Sequence, residues 1–386
     1  MKFRWFGSVV LILALIGAAC TGSTDGETES SDGSEQIAAA PESTTEPAAE
    51  QEPERDPTAE PEPELDPTAQ PEPTPEPTVE AESDTDPGDG DLVSGCSAGT
   101  VPGSTTESFM FEDRERVFEQ VVPSSYDDAT PMPVVLNWHG LGSNGPDQVG
   151  FSGYAALAET EGFIVIAPTG VPSPGDTRNS WELEPDQDPT RDDLAFANEL
   201  LDLVIESLCV DQTRVYTTGM SNGGYFSSVL VCEMSDRIAA AASVAALSHA
   251  DDCEPERVVP YIGFHGTDDV VVPYNGGGES SLAPGEIVPL FELKIADEFG
   301  EFADSAGCDN APVIVEESAN VNSYNYENCR DDIEMTFYEI GGAGHTWPGS
   351  VISLAISQSA GLGVTTNEIS ASETSWTFFE QYALPK

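Results

Sequence analysis

Ser221 sits in Gly219-Met220-Ser221-Asn222-Gly223, directly after the β-favouring run Val215-Tyr216-Thr217-Thr218. Glycine is costly in chain entropy, so a chain that sets Gly219, Gly223 and Gly224 around one serine is shaping its backbone there. A strand, a G-x-S-x-G turn and a helix form the elbow that lifts a serine hydroxyl above a sheet as a nucleophile. A helix starting near Asn222 adds unpaired backbone N–H groups, which favour negative charge. The chemistry this arrangement would serve is acyl transfer: attack on a carbonyl carbon, with the oxyanion held by N–H donors.

A serine nucleophile needs a base, and the chain has 4 histidines. His139 and His265 lie in or just after apolar runs, which suits hydrogen-bonded structural roles, and His249 lies in a polar loop. His345 stands in the glycine-rich stretch Gly341-Gly342-Ala343-Gly344-His345-Thr346-Trp347-Pro348-Gly349, a position suited to a general base. A carboxylate must then orient the ring and stabilise the imidazolium. Asp268 and Asp269 follow the apolar run that ends at His265, and on spacing alone either would serve. The order Ser221, Asp, His345 is the chain order of α/β-hydrolase triads. A fourth run ends in His139-Gly140-Leu141-Gly142, whose glycines let backbone N–H groups turn inward. The N–H groups of Leu141 and Asn222 are the expected oxyanion donors. Trp181, Tyr225, Tyr274 and Trp347 are the expected walls of an apolar acyl pocket. The cysteines show no C-x-x-C spacing, so no zinc site is expected, and acyl transfer by serine is expected to run without metal or organic cofactor.

Taken together, "HG" after a strand, "RVYTTGMSNGG", "HGTDDVVVPY" and "GGAGHTWPG" resemble the secreted esterase family of polyhydroxybutyrate depolymerases, feruloyl esterases and acetylxylan esterases. The likeness runs from about residue 110 to 383. It implies an α/β-hydrolase fold and hydrolysis of carboxylic esters. The substrates it implies are polyhydroxyalkanoate-type oligoesters, or feruloyl or acetyl esters of polysaccharide. It also assigns the acid, because the family's carboxylate stands two residues after Thr267, at Asp269. Depolymerases of solid polyester usually carry a separate substrate-binding domain, and residues 21–95 are too polar to fold into one. Two rival readings use the same residues: a catalytically silent surface binding protein on a hydrolase scaffold, and a serine peptidase.

Positioning these groups takes a sheet. Short apolar runs at 134–138, 163–168, 214–220, 240–247, 258–265 and 333–340 read as strands, with helices expected at 152–160, 192–208 and 222–234. Continuous apolar strands alternating with helices predict a mostly parallel sheet covered on both faces. Its site then lies beyond the carboxyl ends of the strands. Segments 107–111 and 117–122 read as antiparallel edge strands, and Ser370 with Glu373 marks the start of a final helix.

Ahead of this domain, assigned to 96–386, residues 1–20 read as an export signal: Lys2 and Arg4, then an apolar run from Val9 to Ala19. Gly17-Ala18-Ala19-Cys20 resembles a lipoprotein cleavage site, so Cys20 is the expected lipid anchor, with simple cleavage after Ala19 as the alternative. Residues 21–95 are acidic and rich in Pro and Thr, the composition of a disordered spacer. The chain is therefore expected to be exported, extracellular or held on the cell surface. Residues 96–386 still hold 47 acidic and 10 basic residues, a balance that repels nucleic acid and anionic membranes. Contact with a membrane is expected only through the lipid. The expected partner is an ester, polymeric or small, met by a monomer. Six cysteines besides Cys20 suggest three disulfides in an exported protein. The expected pairs are Cys308–Cys329, which brackets one polar region, then Cys209–Cys232, which leaves Cys96–Cys253.

Overall fold

The computed structural model describes residues 95–183, 190–247, 253 and 255–385. The expectations for residues 1–20 and 21–94, including Cys20, and for His249 lie outside them. The strands in chain order are β1 (Gly103–Phe111), β2 (Arg114–Val122), β3 (Met132–Trp138), β4 (Ile164–Pro168), β5 (Val171–Pro172), β6 (Asn179–Ser180), β7 (Val210–Met220), β8 (Ala240–Val244), β9 (Tyr261–Gly266), β10 (Val313–Glu316), β11 (Val321–Tyr326) and β12 (Met335–Ile340). The helices are α1 (Gly145–Ser152), α2 (Tyr154–Glu161), α3 (Asp193–Ser207), α4 (Asn222–Glu233), α5 (Ile295–Ser305), α6 (Val351–Ile356) and α7 (Ala371–Phe379).

Side chains alternate across each strand, and here both faces are apolar. Val134, Leu136 and Trp138 of β3 join one core while Val135 joins the other. Ile164 and Ile166 of β4 divide from Val165 and Ala167 in the same way. Such strands must be covered twice. Helices α3, α4 and α5 contribute to the first core, and α1, α2 and α7 to the second. Helix α3 shows why: Phe196, Ala197, Leu200, Leu201 and Val204 fall on one face, and Asp192 caps the start by accepting from the Ala195 N–H at 2.8 Å.

Among the described residues the main sheet runs β1-β2-β4-β3-β7-β8-β9-β12-β11-β10. Strands β4, β3, β7, β8, β9 and β12 are parallel to one another, with antiparallel pairs at both edges. This is the α/β-hydrolase fold. Register brings the motif-bearing ends to one edge: Trp138 pairs with Gly219, Val244 with Phe264, and Gly266 with Ile340.

The disulfides correct the expected pairing in two of three cases. Cys308 joins Cys329, but Cys96 joins Cys209 and Cys232 joins Cys253. Hydrogen bonds in the folded chain explain the first change. Ser97 N–H donates to Asp128 O at 2.8 Å and the Thr100 hydroxyl to Ser207 O at 3.1 Å, laying the segment after Cys96 against the end of α3. Cys209 follows that helix end directly. Cys232, at the far end of α4, meets the chain returning toward β9.

Candidate active site

Strand β7 ends at Met220 and α4 begins at Asn222, which leaves Ser221 alone to make the turn. Its φ is 55° and ψ is −125°, a strained conformation for a residue with a Cβ. The glycines around it answer a packing demand. A Cβ on Gly219 would lie 2.3 Å from Gly223 O, and one on Gly223 would lie 2.2 Å from Trp138 O. No side chain fits where α4 crosses the ends of β3 and β7. The Ser221 N–H donates to Val244 O at 3.0 Å, which ties the turn to β8.

The loop after β9 carries the acids. Asp269 is buried and Asp268 is exposed. Asp269 Oδ1 accepts from the N–H groups of Val271 and Val272 at 2.8 and 2.9 Å. Its Oδ2 accepts from His345 Nδ1 at 2.8 Å. A carboxylate only accepts, so Nδ1 carries a proton, and it is the neutral ring that keeps a lone pair on Nε2. Burial opposes charge on Asp269, but the His345 ring, its hydrogen bond and the nearby His265 ring outweigh it and hold the carboxyl below its usual range. The two loops are also tied through backbone. Asp268 N–H donates to Ala343 O at 2.9 Å, and Gly342 N–H to the Thr267 hydroxyl at 2.9 Å. The His345 N–H donates to Leu362 O at 2.7 Å.

The loop after β3 meets the elbow at Gly140, where a Cβ would lie 3.3 Å from Ser221 Cβ and 3.9 Å from its Oγ. His139 holds this loop. Gly170 N–H donates to His139 Nε2 at 2.9 Å, so the ring proton sits on Nδ1, which donates to Gly140 O at 2.7 Å. Burial pushes the imidazole of His139 down to about 4, so it is neutral near pH 7. A trans peptide points its C=O and N–H in opposite directions, so holding Gly140 O also orients the Leu141 N–H. The next two N–H groups are engaged: Gly142 donates to Asn179 O at 2.7 Å and Ser143 to Gly140 O at 3.1 Å.

Trp181, Tyr225, Tyr274 and Trp347, the expected walls of an acyl pocket, are no more than 4% exposed and pack among core residues. Trp347 lies beside Tyr154 and donates its Nε1–H to the Ser372 hydroxyl at 2.9 Å. Tyr225 stacks near Phe291, and Tyr274 donates its hydroxyl to Glu339. Trp181 is a strut. Its Nε1–H donates to His139 O at 3.0 Å, while its backbone N–H and C=O bond the Asn222 side chain at 2.7 and 3.1 Å. It therefore links the two residues that flank the site, a role with no sequence signature. The contact of His265 with Asp269 did have one, a spacing of four residues at a strand end, but an apolar run reads first as core.

The sequence profile of the Esterase family matches residues 112–348. Feruloyl esterase B of Piromyces equi is 30% identical over 228 residues, which cover 58% of this chain and 41% of that protein. A bifunctional acetylxylan esterase/xylanase of Neocallimastix patriciarum is 24% identical over 214 residues, covering 55% of this chain and 29% of that one. The chain thus spans less than half the length of either curated relative. Among solved structures, the poly(3-hydroxybutyrate) depolymerase LpqC of Bordetella parapertussis matches with a TM-score of 0.42 at 17% identity, covering 67% of this chain and 90% of that one. The profile match takes in the loop after β3, the elbow, the loop of Asp269 and the loop of His345, and on that ground the chain belongs to the Esterase family.

Proposed function

We propose that this chain is an exported carboxylic ester hydrolase working through Ser221, His345 and Asp269. The observation that carries the reading is the Asp269–His345 hydrogen bond, 2.8 Å long, at the sheet edge where the strained Ser221 also stands. His345 Nε2 takes the Ser221 proton as Oγ attacks the ester carbonyl carbon. The N–H groups of Leu141 and Asn222 hold the oxyanion, each contributing about 3–4 kcal/mol in the transition state. Imidazolium returns the proton to the leaving alcohol oxygen, and the C–O bond breaks. Water, activated by the same base, attacks the acyl-enzyme and releases acid and Ser221. Asp269 keeps the ring oriented and stabilises its charge throughout.

The substrates proposed are feruloyl or acetyl esters of polysaccharide and hydroxyalkanoate oligoesters. The curated relatives support the first two, and the motifs of the Asp and His loops support the third. A strongly acidic domain favours an uncharged ester over an anionic one. Residues 1–20 would direct export, Cys20 would carry the lipid and 21–95 would act as spacer. The test is a panel of methyl ferulate, acetylated xylan, hydroxybutyrate oligomers and p-nitrophenyl esters of increasing chain length. Turnover of at least one class, lost in Ser221→Ala, is expected. Absence of turnover on all of them would favour a silent scaffold.

A further inference from the structure

His265 shares a strand end with Asp269, yet the reaction above does not use it. It lies on β9 and is 2% exposed. Its Nε2 is 2.9 Å from Val272 O and 3.4 Å from Asp269 Oδ2. A carbonyl oxygen only accepts, so Nε2 carries a ring proton and donates it to Val272 O, with Asp269 Oδ2 as a longer electrostatic contact. The Nδ1 atom is buried and has no hydrogen-bond partner among the described residues. His265 thus donates on one side only, to Val272 O, with the oxygen that also receives His345 at 3.4 Å.

We infer that His265 is a positioning residue: with its N–H dipole 3.4 Å from Asp269 Oδ2, it limits how strongly Asp269 stabilises the protonated His345 ring. The inference rests on the triad reading above. A donor to a carboxylate draws off part of its negative charge. Removing that donor leaves more charge facing His345. The imidazolium becomes harder to deprotonate, and the free base that activates Ser221 appears only at higher pH. Among the described residues other charged and titratable groups lie around this cluster, Lys294 Nζ among them, 5.3 Å from the centre of the Tyr274 ring. Tyr274 has its ring 6.1 Å from that of His265 and donates its hydroxyl to Glu339. Glu339 is the register partner of His265 on β12. The buried hydroxyl of Tyr225 feels the charge of Asp269, and exposed Asp268 follows Thr267. None of these donates to Asp269 Oδ2 among the described residues.

The test is the pH profile of kcat/KM for wild type, His265→Leu, His265→Asn and His265→Gln. Leu has no donor, and the short Asn amide does not reach Asp269. Both should move the acid limb upward by about half a pH unit or more. Gln presents an N–H at nearly the reach of Nε2 and should restore the wild-type limb. A purely structural role would lower thermal stability in all three and leave the acid limb in place. An unmoved or downward-shifted limb in the Leu and Asn variants would overturn the inference, and either variant alone decides it if the other does not fold. Labelling of wild-type Ser221 by a fluorophosphonate, run in parallel, separates the two levels. Labelling with an unmoved limb removes only the role of His265, whereas failure to label removes the triad reading beneath it.

Discussion

Two neighbouring carboxylates behave differently because one is enclosed. Asp269 accepts hydrogen bonds from Val271, Val272 and His345, while Asp268 is exposed. Asp269→Asn should therefore lower kcat by about 10⁴-fold, the loss seen when a triad carboxylate becomes an amide. Asp268→Asn should change kcat less than about three-fold, as expected for a solvated surface group. Comparable losses in steady-state assays of the two variants would contradict the assignment. His139 predicts a stability effect. Its pKa falls from the ordinary value of 6.5 to about 4 on folding, so the unfolded chain binds its proton more readily. Stability should then drop as pH falls from 6.5 toward 4, by about 3 kcal/mol from this one group. Urea midpoints across that window should show the slope in wild type and a shallower one in His139→Gln.

Strands and helices are the scale at which the sequence was most readable. Runs such as Val134–Trp138 and Phe163–Pro168 are apolar because both faces of the sheet are covered, and that signal is local. The final helix was legible from its cap, where the Ser370 hydroxyl accepts from the Glu373 N–H at 3.3 Å. Strands β10 and β11 were not legible. Residues 313–316 are all exposed, and β11 reads Val-Asn-Ser-Tyr-Asn-Tyr, polar at most positions. Helix α5 did carry a signal in the spacing of Ile295, Phe299 and Phe302. Disulfide partners depend on which distant segments the fold lays side by side, so spacing misled there. The link made by Trp181 between His139 and Asn222 belongs to the same class of long-range fact. Trp181→Phe keeps an aromatic ring but removes the N–H given to His139 O together with the five-membered half of the indole. It should lower kcat by about ten-fold with little change in KM, because it loosens donors that act in the transition state. A stability loss with unchanged kcat would show the bond to be structural only.

Across the whole molecule, four loops from distant parts of the chain leave the same edge because their strands lie in the parallel part of one sheet. The ends of apolar runs, with the G-x-S-x-G turn and the glycine-rich loop, drew attention to Ser221, the Asp pair and His345. They could not say which rings reach the surface, because burial is a property of the assembled layers. Trp347, next but one to His345, is fully enclosed. The central claim is that Ser221 is the activated nucleophile, with His345 as its base. The most direct measurement is active-site titration with a fluorophosphonate, read by intact mass and by peptide mapping. The account predicts one adduct per chain, located on Ser221, and loss of labelling in both Ser221→Ala and His345→Ala folded variants. An adduct on another serine, or undiminished labelling of the Ser221→Ala chain, would contradict it.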